Sequence, residues 1–334
     1  MSTPGPYVLG DLEAQPGSQV RGYCEVNLGT SSVALPVAIT HGTEPGPVLA
    51  VTAGIHGGEY VPMVAVRQFI RDLDPARMSG TVVASLQSSP VAFEQRLAFV
   101  NPLDGQNLNR SFPGDPAGGP TQRLAAWLSE NLLGRADYYV DCHCGDLPEV
   151  LDSFAGVAAG PDGVLSEQGR AVADCFDVAR ILEEDLEGSA VFQAALAGVA
   201  AALVEIGGQG RWSQAEADVQ RQGLLRVAAL AGILPADGLP ADGLPADGAA
   251  RPHLPIFEEV AGVLSDRAGL WFPEVGVGAS VAQGTRLGRV EDAFGDTVWE
   301  VLAPAAGVLT FGLGSLAAHQ GDLLAYIARP MPGT

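Results

Sequence analysis

No lysine occurs anywhere in the 334 residues; all 18 basic residues are arginine. That absence excludes Schiff-base chemistry, a phosphate-binding P-loop lysine, and a lipoyl or biotinyl carrier, each of which needs a lysine amine. Cysteine is scarce as well. The four present, Cys24, Cys142, Cys144 and Cys175, have neither the pairing of a disulfide framework nor the C-x2-C units of a structural zinc site. Long apolar runs are missing too: Pro47 to Ile55 is far too short to cross a bilayer. The first residues, Met1-Ser-Thr-Pro-Gly-Pro, show neither a basic patch nor an apolar core, so no signal peptide is read and a cytoplasmic location is expected. Positive charge is outweighed: the net charge of −21 repels phosphate backbones and anionic lipid, so neither nucleic acid nor membrane is expected as a partner.

What is present is globular. Apolar residues make up 47% and charged residues 17%, and the length favours two domains over one core. Buried-strand patterns at residues 46–55, 81–86, 138–142 and 201–206 alternate with helical spacing at 60–73, 121–133 (Thr121 capping after Pro120), 165–178, 189–199 and 214–232. This predicts an α/β domain over residues 1–233, with a largely parallel or mixed sheet and helices on both faces. Leu234-Pro-Ala-Asp-Gly then repeats at Leu239 and Leu244, predicting a linker over 234–250. Short β runs at 262–265, 269–272, 298–302, 307–311 and 322–327, punctuated by glycine and proline, predict a small all-β sandwich or barrel over 251–334.

The chemistry-bearing pattern begins with Gly54-Ile-His56-Gly-Gly-Glu59. A strand ends, two glycines turn the chain and a helix begins near Glu59. That puts His56 and Glu59 at the carboxyl edge of the sheet, where open α/β folds place their sites. An imidazole and a carboxylate three residues apart can reach one cation, with the bare glycines leaving room for substrate. A catalytic zinc site of the two-histidine, one-glutamate type needs one more histidine and an open position. Of five histidines, His143 is the natural choice, since it ends the strand Asp137-Tyr-Tyr-Val-Asp-Cys-His143. The alternative is a hydrogen-bonded polar residue at a strand end. Asp141 shares His143's face and is placed to orient it, whereas Cys142 and Cys144 point the other way. Glu205 is the one charge in the apolar strand before Gly207-Gly208 and is the candidate base, the alternative being a solvent-facing residue at a strand exit. In Arg96-Leu-Ala-Phe-Val-Asn-Pro-Leu-Asp-Gly-Gln-Asn107-Leu-Asn109-Arg110-Ser-Phe-Pro-Gly114, a hydrophobic strand is read ahead of a functional loop. Arg110 with Asn109 suits a substrate carboxylate and Arg96 a scissile carbonyl; the alternative is a loop tied by arginine to Asp104.

His56-x-x-Glu59, then Asn109-Arg110-x-Phe112, then His143, then Glu205 resembles the succinylglutamate desuccinylase/aspartoacylase family, within the wider zinc carboxypeptidase clan. The resemblance covers about residues 35–330. The 96–114 segment is similar to the bacterial predicted-deacylase branch that includes N-acetyl-diaminobutyrate deacetylases. Relative to aspartoacylases proper, this chain has a longer spacing between its two arginines, and Asn107 in place of an aspartate. The resemblance implies one Zn2+ per chain on His56, Glu59 and His143. It implies Glu205 as general base and then acid, Arg96 polarising the carbonyl, and Asn109 and Arg110 on the substrate carboxylate. It implies a barrel-sandwich C-terminal domain that narrows the entrance to the site. The expected activity is hydrolysis of a small N-acyl amino acid, with a homo-oligomer an open alternative to a monomer. A carboxypeptidase using the same residues and a non-catalytic binding protein are the competing expectations.

Overall fold

The computed structural model describes residues 4–160, 166–178, 181–183, 187–235 and 254–331. Leu234 and Pro235 are inside this set; the rest of the repeat expected as a linker lies outside the described residues.

The N-terminal part contains β1 (Tyr7–Leu9), β2 (Leu12–Ala14), β3 (Ser18–Asn27), β4 (Ser32–His41), β5 (Glu44–Ala53), α1 (Tyr60–Asp72), β6 (Ser79–Ser85), α2 (Pro90–Gln95), α3 (Pro120–Asn131), β7 (Tyr138–His143), β8 (Glu149–Leu151), β9 (Phe154–Val157), α4 (Glu167–Ala173), β10 (Ile181–Glu183), α5 (Ala190–Leu196), β11 (Ala200–Glu205) and α6 (Gln214–Leu230). The C-terminal part is all β: β12 (Ile256–Leu264), β13 (Gly269–Pro273), β14 (Ser280–Val281), β15 (Arg286–Glu291), β16 (Thr297–Leu302), β17 (Gly307–Leu313), β18 (Ala317–Ala318) and β19 (Leu323–Pro330).

The central sheet runs β3-β4-β6-β5-β7-β11-β9-β10 and is mixed: β5, β6, β7 and β11 are parallel, while β3, β4 and β9 supply antiparallel neighbours. Side chains alternate across it. Val140, Cys142, Ala202 and Val204 join Phe69 and Ile70 of α1 and Leu224 of α6 in one core. Tyr139, Ala201 and Leu203 face the other way, onto Leu124 and Leu128 of α3 and Val191 of α5. This is the two-faced burial that makes the central strands read as nearly continuous apolar runs. Helix α6 starts in a reciprocal cap, the Ser213 hydroxyl accepting from the Glu216 backbone N–H (3.2 Å) and donating to its carboxylate (2.7 Å).

Three local expectations change. Thr121 is not the cap of α3: Gly119 holds that position and Pro120 takes the first helical turn. The Thr121 hydroxyl and N–H both bond Asp104 instead, at 2.6 and 2.9 Å. The hydrophobic strand expected after Arg96 is a turn, in which Arg96 (φ 54°) and Phe99 (φ 60°) both take left-handed backbone. Finally, the C-terminal unit is joined to the sheet. β12 pairs in parallel with β10 at Ile256 and Phe257, then continues into the antiparallel β12-β19-β17-β14. β8 crosses over to pair with β17, Glu149 opposite Leu313. The Trp271, Val290, Val301 and Ile327 core of this unit lies between that sheet and the four-stranded β16-β15-β13-β18.

Candidate metal centre

The register of the sheet assembles the site. Glu205 lies beside His143 in the parallel β7–β11 pairing, and Asp141 lies beside Thr52 in β5–β7. These residues share the face that carries Tyr139 and Leu203, at the carboxyl ends of three adjacent parallel strands. Cys142 falls on the opposite face, in the core with Val140, as alternation demands. Burial, then the Asp141 charge, pushes the Cys142 thiol well up; burial, then the Glu59 and Glu205 charges, does the same to Cys144. Burial thus disfavours the thiolate, the form a metal needs, at both.

After β5 the chain turns at Gly54, and Gly57 and Gly58 carry it to Glu59, the residue capping α1. A Cβ at Gly57 would meet the backbone of Ala92 at 2.4 Å, and one at Gly58 would meet Asp146 Oδ1 at 2.0 Å. The glycines therefore make room for α2 and for Asp146, and not for substrate as the sequence had led us to expect. The Glu59 side chain forgoes helix capping and turns inward. Its Oε1 lies 2.5 Å from His56 Nδ1 and its Oε2 lies 2.8 Å from His143 Nδ1. The second contact is close but off the line a hydrogen bond needs, so Oε2 is buried without one.

Each imidazole is held from its far side. His56 Nε2 is 3.1 Å from Asn107 Oδ1, an oxygen that also accepts the Asn109 N–H, so Nε2–H donates to it. His143 Nε2 is 3.1 Å from Asp141 Oδ2, a charge contact that favours a proton there. Asp141 is itself fixed by the Thr52 hydroxyl at 2.6 Å. Both Nδ1 atoms then face Glu59. Donor atoms of His56, Glu59 and His143 lie within 4.8 Å of one another, so the three can hold one metal ion. Burial opposes a charged His56 or His143, but Glu59, with Asp141 beside His143, outweighs it and holds both imidazoles above their usual range. The two imidazoles in turn outweigh burial at Glu59 and hold that carboxyl low. Two buried carboxylate oxygens without a hydrogen bond, Glu59 Oε2 and Asp141 Oδ2, beside two inward-facing imidazole nitrogens suit a divalent cation.

The other candidate residues are less uniform. Arg96 is exposed, and its guanidinium makes no hydrogen bond or ion pair among the described residues. Arg110 is exposed and donates to the Asn109 carbonyl at 2.7 Å. Asn109 is buried beside His143, with Nδ2 at 3.4 Å from His143 Nε2 and Oδ1 accepting the Ala190 N–H at 2.9 Å. Much of its capacity thus goes to joining this loop to α5. Asp104 is bonded to Thr121 and not to an arginine.

Asp146 and Glu149 were not singled out in the sequence. Asp146, fully buried, accepts the Phe99 N–H at 2.7 Å and so holds the left-handed Phe99 edge-on to His56, ring centroids 6.3 Å apart. Their signal was Cys144-Gly-Asp146-Leu-Pro-Glu149, an acidic turn directly after a strand ending in a candidate ligand. Beyond Phe99 lies a cavity of about 360 Å³, walled by Phe99, Pro148 and Glu149 on one side and by Phe311, Leu313 and Leu323 of the β unit on the other.

Burial, more than the Glu59 charge, pushes the Glu149 carboxyl up to about 7. Below the ordinary value near 4.5 the group is protonated in both folded and unfolded chain. Between there and about 7 the folded chain keeps a proton that the unfolded chain has released, so stability falls as pH rises through this window. Glu149→Gln removes that dependence. Its melting temperature relative to wild type is expected to rise from pH 5 to pH 8, and a constant difference would contradict the assignment.

Comparison with known proteins places this fold among amide-hydrolysing deacylases. The family's catalytic domain, described as "Succinylglutamate desuccinylase/Aspartoacylase catalytic domain", matches residues 45–231, and the chain belongs to that family. The chain is 27% identical over 303 residues to the N-alpha-acetyl-L-2,4-diaminobutyric acid deacetylase of Halomonas elongata, covering 89% of this chain and 86% of that one. It is similar to the product-bound ectoine utilization protein EutE (DoeB) of Ruegeria pomeroyi (TM-score 0.82, 26% identity, 97% and 98% of the two chains). It is also similar to a succinylglutamate desuccinylase/aspartoacylase of Rhodobacter sphaeroides (TM-score 0.80, 25% identity, 94% and 96%). Among the described residues no helix is long and apolar enough to cross a membrane.

Proposed function

We propose that this chain binds one zinc ion through His56, Glu59 and His143 and hydrolyses the amide bond of a small N-acyl amino acid. The observation that carries this is the pair of buried imidazole Nδ1 atoms facing the two oxygens of Glu59, of which Oε2 takes no hydrogen bond, with Glu205 in register beside them. Zinc, when bound there, supplies the Lewis acidity that makes water a nucleophile near neutral pH and polarises the acyl carbonyl.

The chain's own residues do the rest. The Glu205 carboxylate takes the proton from the attacking water and returns it to the leaving amine nitrogen. Arg96, with an unengaged guanidinium, neutralises charge developing on the carbonyl oxygen. Arg110 binds the substrate carboxylate, with Asn109 holding the loop beneath it against His143. Asp141 keeps His143 oriented. The cavity walled on one side by the β unit favours a short substrate over a peptide. The named activity of the Halomonas relative favours an acetylated diamino acid within that class.

The test is amine release by the zinc-loaded protein from N-acetyl, N-succinyl and N-formyl amino acids, with C-terminal dipeptides alongside. Turnover of acyl amino acids alone is expected. Cleavage of dipeptides alone would make the chain a carboxypeptidase, and zinc binding with no turnover of any class would favour a non-catalytic binding protein.

A further inference from the structure

The cavity beyond Phe99 holds two carboxylates and no arginine: Glu149 from β8, and Asp322 from the turn before β19. They are not equivalent. Asp322 is already engaged, its Oδ2 accepting the His319 backbone N–H at 2.7 Å and lying 3.1 Å from the His319 ring. Glu149 spends one oxygen, Oε2, on the Asp146 backbone N–H at 2.8 Å. Its Oε1 takes no hydrogen bond and no ion pair among the described residues, yet is not among the atoms sealed from solvent. The elevated carboxyl described above has a related origin: burial of an acid that no arginine contacts. Glu149 is also firmly placed. Its strand is zipped to β17, with Glu149 opposite Leu313, and Gly314 donates to the Pro148 carbonyl at 2.6 Å. The opposite end of the same cavity is Phe99, whose ring abuts His56. An aromatic ring and an unshared carboxylate in one small cavity recognise a primary ammonium.

We propose that Glu149 is a specificity-determining residue that selects acyl amino acids carrying a second, cationic amine on a short side chain. This rests on the deacylase reading above: the acylated nitrogen sits at the His56–Glu59–His143 centre while the free ammonium enters the cavity beyond Phe99 and meets Glu149. Because β8 is held by β17, the C-terminal unit sets the substrate class by fixing this carboxylate, in addition to narrowing the site.

The experiment compares N-acetyl-2,4-diaminobutyrate with its neutral isostere N-acetylnorvaline, using wild type, Glu149→Gln and Glu149→Asp. A desolvated charge-assisted hydrogen bond is worth about a ten- to hundredfold preference. Wild type is expected to favour the diamino substrate in kcat/KM by that ratio. Glu149→Gln loses the ratio through KM, and Glu149→Asp keeps part of it. Calorimetric binding of the free products, 2,4-diaminobutyrate and norvaline, is expected to show the same ratio, so the inference stands or falls even if neither acyl compound is hydrolysed. That last result would count against the deacylase reading alone. Equal preference in wild type, or a ratio that Glu149→Gln leaves intact while both substrates decline together, would overturn the proposal and leave Glu149 a structural residue.

Discussion

Glu205→Gln is expected to retain zinc and fold while kcat falls by about a thousandfold, with KM little changed. The side chain keeps its shape and loses only its ability to accept a proton, and a positioned general base is worth about 10²–10⁴ in rate. Its position carries the expectation: Glu205 ends β11 directly beside His143, on the face to which Tyr139 and Leu203 also point. A side chain there is held by the sheet on both sides, by β7 and by Phe154 of β9. Rates and zinc content measured on one preparation separate the two roles. Near wild-type turnover would remove Glu205 from the mechanism, and loss of zinc would show it to be a ligand.

His143→Ala is expected to abolish tight zinc binding and all turnover. The loss should exceed that from Asp141→Asn, which keeps every ligand and disturbs only the far side of the imidazole; such changes cost about 10–100-fold in affinity. The same variant leaves the Glu59 carboxylate, 2% exposed, with His56 as its remaining imidazole contact. Breaking a buried pair from one side costs about 3–5 kcal/mol, so the metal-free variant should also melt well below metal-free wild type. Competition against a chromophoric chelator reads the first effect, and denaturant titration of the metal-free proteins reads the second. Unchanged zinc affinity would exclude His143 from the centre.

The candidate ligands and the candidate base could be picked out because each sits where a pattern ends. His56 and Glu59 follow an apolar strand, and His143 and Glu205 close two others, so strand polarity alone puts all four at one sheet edge. The two-period alternation through Asp141, Cys142 and His143 likewise predicted which of them face the site. The N-terminal strands β1 to β4 were not read. Tyr23, for instance, is largely exposed on β3, so the apolar signal there is diluted by edge and surface positions. β15 went unread as well, because Arg286-Leu-Gly-Arg-Val-Glu alternates charge with core residues over only six positions.

The loops were the hardest part. Arg96 and Phe99 take left-handed backbone that no local propensity favours, and the long-range bond from the Phe99 N–H to Asp146 holds the turn at Phe99. Gly57 and Gly58 looked like space for a ligand in the sequence; tertiary packing of α2 and Asp146 fills it. The union of β12 with β10 and of β8 with β17 could not be foreseen either. Register across elements about 75 and 160 residues apart is set by contacts the sequence does not display.

The most direct measurement is zinc content and amine release from an N-acyl amino acid on the same sample, before chelation, after chelation and after zinc is restored. One zinc per chain is predicted, with turnover that disappears on chelation and returns with the metal. Turnover indifferent to the chelator, or a chain that takes up no zinc, would contradict a metal centre built on His56, Glu59 and His143.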